Sequence, residues 1–216
     1  MLPLVGAVIG ALAGTIGFVA SLRVTHVLAA ALTLAALVIL SGAIHIDGFL
    51  DGCDAFFASV PLQRRFEILD DPRHGTFALA GLFSAGIVWY AALLSLAPAT
   101  YPVLLAFSGA LARAAAVCNA LVFPYARPRA QAHALSARPA AWLLALELLA
   151  LVAAAWTLGH PVVLFVPLAV LAALATGRWI ALRLGGGLTG DAYGFITVVL
   201  EITLLAALSA LRSPYS

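Results

Sequence analysis

The sequence predicts an all-α, polytopic membrane helix bundle with about seven transmembrane helices. Three observations lead there. Hydrophobic residues fill 64% of the 216 positions and charged residues only 9%, whereas a soluble domain is about a quarter charged. So little charge cannot cover a surface that faces water. The apolar residues fall into runs of about 20, the length that crosses a bilayer core. Finally, arginines divide unequally between alternate connecting segments, as cytoplasmic and exterior loops do.

In chain order the runs are Leu2–Leu22, Val27–Ile44, Phe77–Ala97, Tyr101–Phe123, Ala140–Leu158, Val162–Leu182 and Ala192–Leu211. The first lacks the positive leader of a secretory signal and reads as a retained helix. Its Gly6, Gly10 and Gly14 stand four residues apart. That spacing allows another helix to approach closely, either within one bundle or as the seam of a homo-oligomer. The second run leads into an acidic motif, and the third follows Pro72 and a Gly-Thr pair. The fourth to seventh runs contain Arg113, Glu147, Arg178 and Glu201. An ionised residue at such a depth costs roughly 2.5–3.5 kcal/mol and should face the bundle interior. Residues 1–216 read as a single integral-membrane catalytic domain without a separate soluble unit.

Seven spans place segments 45–76, 124–139 and 183–191 on the side of the N-terminus. That side holds Arg64, Arg65, Arg73, Arg127, Arg129, Arg138 and Arg183, against Arg23 and Arg212 on the other. The arginine-rich side is therefore expected to be cytoplasmic. A net charge of +2 is too small to argue for nucleic acid. Cys53 and Cys118 form no metal or redox motif and read as packing residues.

Chemistry concentrates first in His45-Ile-Asp47-Gly-Phe-Leu-Asp51-Gly-Cys-Asp54. On a helix these three aspartates share one face. At ~6 Å and an effective dielectric of ~20, each pair repels by on the order of 3 kcal/mol. A divalent cation would offset this, and oxygen-only ligands suit Mg²⁺ or Mn²⁺ rather than zinc. Gly48 and Gly52 keep the helix slim enough for a phosphate to approach. His45 abuts the cluster, as a general base or as a hydrogen-bond support. The second motif is Glu67-Ile-Leu-Asp70-Asp71-Pro-Arg73-His74-Gly75-Thr76. Asp71 could complete the metal site and Arg73 could hold a phosphate. Gly75 and Thr76 open a helix whose free N–H groups could bind an anion. The third motif, Gly185-Gly-Gly-Leu-Thr189-Gly190-Asp191-Ala-Tyr-Gly194, is a glycine-rich turn feeding the last span. Such a turn can cradle phosphate, while Asp191 suits a ribose hydroxyl or a metal. Arg113 could reach a phosphate from within the bundle or could pair with Glu147. His26, His133 and His160 read as interface or loop residues.

In this order the three motifs, with Arg113 and Tyr125-Ala-Arg127, resemble the cobalamin synthase family, the adenosylcobinamide-GDP ribazoletransferases. The likeness runs from the second span to Glu201. It implies a Mg²⁺-dependent enzyme of the cytoplasmic (inner) membrane with its site facing the cytoplasm. The substrates it implies are adenosylcobinamide-GDP and α-ribazole or its 5′-phosphate, joined with release of GMP. The spaced aspartates are also similar to those of CDP-alcohol phosphotransferases. By that likeness Asp47, Asp51, Asp54 and Asp71 are metal ligands or, for one of them, the base; Asp54 and Asp71, with the adjoining His45, are the candidate catalytic residues. Arg73, Gly75, Thr76, Arg113, Gly190 and Asp191 are then the candidate contacts to substrate. Pro72 and His74 stand where the family commonly has Ser and Leu or Ile, and Val198 where many members carry Glu. Two other readings compete, a CDP-alcohol phosphotransferase-like lipid enzyme and a divalent-cation transporter. The first is disfavoured because Asp47 and Asp51 are four apart and no Ala-Arg follows. The second is disfavoured because the polar motifs crowd one side.

Overall fold

The computed structural model describes residues 2–126 and 140–211. Its helices, in order, are α1 (Leu2–Ser21), α2 (His26–Leu40), α3 (Ile44–Phe57), α4 (Leu62–Asp70), α5 (Thr76–Leu94), α6 (Tyr101–Val122), α7 (Ala141–Leu158), α8 (His160–Val163), α9 (Phe165–Arg183) and α10 (Gly190–Leu211). Six helical segments are long and apolar enough to cross a membrane, with the short α8 running into α9 as one of them. The fold is the all-α membrane bundle that the sequence predicts.

The second predicted span departs from a single rod. It is split into α2 and α3, which meet at 89°. The cause is local: Gly42 and Ala43 take φ of 63° and 56°, the left-handed region that stops a right-handed helix. Neither half alone, at 1.5 Å per residue, spans the ~30 Å core. The two ends of the pair nevertheless reach opposite ends of the bundle. His26 Nε2 meets the Tyr101 hydroxyl at 2.9 Å at one end, and Asp54 reaches the start of α5 at the other.

α6 is the central post, buried along most of its length, and α10 is the second. The glycines of α1 lie against α6. A Cβ on Gly6 would stand 2.3 Å from the Gly109 carbonyl oxygen, and one on Gly10 would stand 2.1 Å from that of Leu105. The four-residue glycine stripe is thus a seam within the bundle.

At the face where α1, α5 and α10 begin, three loops converge. The turn before α10 bends through Gly185 and Gly186, with φ of 75° and 107°. Leu188 then pairs with the segment after α6, its N–H donating to Pro124 at 2.9 Å while its carbonyl accepts from Ala126 at 2.9 Å. The end of α3 is held there by cations. Arg183 Nε donates to the Phe56 carbonyl at 2.8 Å, and Arg65 donates to that of Ala55. Both complement the negative pole of a helix end. Arg64, Arg65, Arg73 and Arg183 all lie at this face, whereas Arg127, Arg129, Arg138, Arg212 and His133 fall outside the described residues.

Gly10→Val is expected to lower stability by about 1–3 kcal/mol, since the overpacked atom is backbone and cannot move aside. Gly86→Ala, with nothing within 4 Å of the added carbon, is expected to leave it unchanged. Thermal unfolding in lipid nanodiscs reads both.

Candidate active site

α3 presents its aspartates at the face where the loops converge. Gly48 allows this: a Cβ there would lie 3.1 Å from both Cα and the carbonyl oxygen of Asp191. The backbone of α3 therefore rests on the first turn of α10. Below that contact Phe49 and Phe195 stack at 5.4 Å, and Phe56 meets Phe195 edge-on at 5.6 Å. This apolar layer separates the acidic groups from the membrane interior.

Asp47 and Asp51 differ in setting. The Asp47 side chain is 70% exposed and that of Asp51 16%. His74, from the loop before α5, lies between them. Its Nδ1 stands 3.5 Å from Asp51 and its Nε2 4.0 Å from Asp47. Asp51 is also within electrostatic reach of Asp54 and Asp191. In the sequence His74 stands out only as a departure from family habit. Its signal was chemical: an imidazole beside an acidic motif, on the same face of the membrane, is a metal-type or proton-carrying donor.

Asp54 has a different occupation. One carboxylate oxygen accepts from Gly75 N–H at 2.6 Å and the other from Ala78 N–H at 3.0 Å. Gly75 has no side chain with which to cap α5, so Asp54 caps it from across the bundle. The N–H of Gly75, expected to meet a substrate anion, is spent on this carboxylate. Thr76 is the first residue of α5 beside it.

Asp71 is engaged by Arg73. It accepts from Arg73 three times, from Nε at 2.9 Å, Nη2 at 2.8 Å and the backbone N–H at 3.0 Å. These bonds hold its carboxyl at about 2, well below the usual carboxylate range. Asp71 and Arg73 border a pocket of about 260 Å³ together with Asp54, Arg64, Glu67 and Phe77. Arg64 pairs with Glu67 at 2.7 Å. The site thus has two halves. Asp47, Asp51, His74 and Asp191 form one, and the arginine-flanked pocket forms the other, with Asp54 on its wall.

Gly190 is the first residue of α10, and the Thr189 hydroxyl accepts from Ala192 N–H at 3.4 Å. The glycine-rich turn serves chain reversal and the Pro124–Ala126 contact, while Asp191 is delivered to α3. Arg113 lies deeper. It is 4% exposed and donates from Nη1 to the Gly109 carbonyl at 2.9 Å and to Glu201 at 3.3 Å. The carboxylate it meets is thus on α10, where the sequence had offered Glu147 on α7. His45 faces the same interior region rather than the open cluster.

Among the described residues, no three such groups already stand close enough to enclose a metal ion. The donors nonetheless fit a hard divalent cation by chemistry: Asp47, Asp51 and Asp191 are oxygen donors, and His74 lies beside the first two.

Fold and site define a polytopic helical membrane protein with an acidic, arginine-flanked pocket at one face of its bundle. The family model for cobalamin-5-phosphate synthase matches residues 1–209, and the chain belongs to that family. It is similar to the adenosylcobinamide-GDP ribazoletransferase of Pseudomonas paraeruginosa, 38% identical over 96% of this chain and 84% of that protein. The enzyme of that name from Desulfitobacterium hafniense is 33% identical over 98% of this chain and 85% of its own length. The one from Deinococcus radiodurans is 33% identical over 77% of this chain, which covers only 58% of that relative. No solved structure matches.

Asp54→Ala is expected to destabilise the protein by about 0.5–2 kcal/mol through loss of the α5 cap. Asp47→Ala, at an exposed position, is expected to stay within about 0.5 kcal/mol of the parent. Thermal unfolding of the two variants separates the structural from the purely chemical carboxylate.

Proposed function

We propose that the chain is an adenosylcobinamide-GDP ribazoletransferase, a transferase of late cobalamin biosynthesis. It joins adenosylcobinamide-GDP to α-ribazole or its 5′-phosphate and releases GMP. Family membership and the relatives' names support the reaction. The observation that carries the site is His74 lying between Asp47 and Asp51, with Asp191 within electrostatic reach of Asp51, next to a pocket flanked by Arg64 and Arg73.

The pocket suits the nucleotide end of the donor. Arg73 and Arg64 offer charge to its phosphates, and Phe77 and Ile68 give the wall apolar surface. Asp47, Asp51 and Asp191 would hold Mg²⁺, with Asp54 at the margin. When bound, that ion would neutralise the pyrophosphate and the charge growing on the leaving group. The acceptor hydroxyl attacks the phosphorus next to cobinamide. A new P–O bond forms, the P–O bond to the bridging oxygen breaks, and GMP leaves with that oxygen. The hydroxyl proton passes to a carboxylate of the cluster. Asp71, held as an anion by Arg73, keeps that guanidinium in place and stays charged across the working pH range. The excess of arginine at this face supports a cytoplasmic site in the inner membrane.

Purified protein in nanodiscs with both substrates and Mg²⁺, read by mass spectrometry, tests this. The cobamide product and GMP are expected in equal amounts. Asp51→Asn is expected to cut the rate at least about 100-fold, the scale of losing one group that stabilises the transition state, with insertion unchanged. Wild-type turnover in that variant would refute the role of the cluster.

A further inference from the structure

Behind the acidic pocket, inside the bundle, lies a second polar cluster that the transfer reaction does not use. A small cavity of about 10 Å³ is lined by His45 and Ser41 from the α2–α3 bend, Trp89 of α5, Arg113 of α6 and Glu201 of α10. Apolar side chains such as Ile9 and Leu37 complete its wall. Three polar atoms of this lining, His45 Nδ1, Trp89 Nε1 and Arg113 Nε, are buried without a hydrogen-bond partner in the described protein. Trp89 is 6% and Arg113 4% exposed.

One orphaned buried group is costly, and more so at membrane depth. Three around one cavity point to one shared partner. Trp89 Nε1 and Arg113 Nε can only donate, so that partner must offer two lone pairs. An apolar occupant would satisfy neither. An anion would lie beside the Glu201 carboxylate in a medium of low dielectric. A water molecule accepts from both donors and has two hydrogens left to give. One matches His45 Nδ1, and the other faces Ser41 or Glu201 on the same wall. The cavity is at the lower bound of the room one water needs, about 10–15 Å³.

We propose that this cavity is a binding site for a single structural water, which ties the intramembrane Arg113–Glu201 pair to His45. The water fixes the ring at the start of α3, two residues before Asp47, and with it the turn that carries the cluster. Its donation makes Nδ1 the acceptor, so the neutral ring carries its proton on Nε2. His45 is here a positioning residue, and the site exists whether or not the transfer chemistry is as drawn above.

Nuclear magnetic resonance of protein labelled with ¹⁵N in histidine and tryptophan, in nanodiscs without substrate, tests it. The five histidines and four tryptophans are few enough to assign by single substitutions. The expected result is His45 with its proton on Nε2 and a water cross-peak at the Trp89 indole N–H. Trp89→Phe keeps an aromatic ring, smaller than the indole, and removes the donor. It is expected to shift the His45 ring signals and to lower kcat about tenfold, the scale of losing a group that orients a site residue, with KM unchanged. A proton on Nδ1, no water cross-peak at Trp89, or His45 signals unmoved by Trp89→Phe would overturn the proposal. If that variant does not fold, the two wild-type observations decide alone.

Discussion

The acidic pocket depends on one close approach between backbones. Gly48 of α3 lies on Asp191 and Gly194 of α10, and any side chain at position 48 would meet Asp191 at 3.1 Å. The approach fixes where α3 crosses α10, and so brings Asp191 to carboxylates more than 130 positions earlier in the chain. It also lets Phe49 and Phe56 close on Phe195, which puts an apolar layer directly behind charged groups. The bend at Gly42–Ala43, where both residues take positive φ, lets α3 leave the direction of α2 and lie over the start of α10.

Charge is handled differently at the two depths. At the membrane face, carboxylates are left to water, to His74 and to arginines, and Asp47 is largely exposed. Inside, Arg113 and Glu201 form a buried pair at 3.3 Å, where breaking either partner would strand a charge. Helix ends at the site face are neutralised in the same spirit. Arg65 and Arg183 take the last carbonyls of α3, and Asp54 takes the first amides of α5. Local electrostatics thus holds the loops that the hydrophobic effect, weak between helices in lipid, does not.

Much of this was legible in the sequence, because composition and run length read directly onto spans, and the i, i+4, i+7 spacing of Asp47, Asp51 and Asp54 puts them on one helix face. Span boundaries agree to within a few residues, except at the second. There a continuous apolar run concealed a left-handed alanine, which no periodicity reveals. The partners of the polar groups were the harder part. Arg113 finds Glu201 across 88 positions, and Asp54 finds Gly75 across 21. Helical phase alone does not say which of two intramembrane glutamates an arginine meets. Asp71 pairs instead with Arg73, two residues on. His74 is hard to place from sequence, because its partners Asp47 and Asp51 lie more than 20 positions earlier on another helix.

We propose that Asp51 and Asp191, from different helices, share one divalent cation. Titration with Mn²⁺ in nanodiscs, followed by electron paramagnetic resonance without substrate, tests it most directly. Bound Mn²⁺ that Mg²⁺ displaces is expected, weakened about 10-fold or more by either Asp51→Asn or Asp191→Asn and retained in Glu67→Gln. Equal Mn²⁺ binding in the parent and both aspartate variants would contradict it.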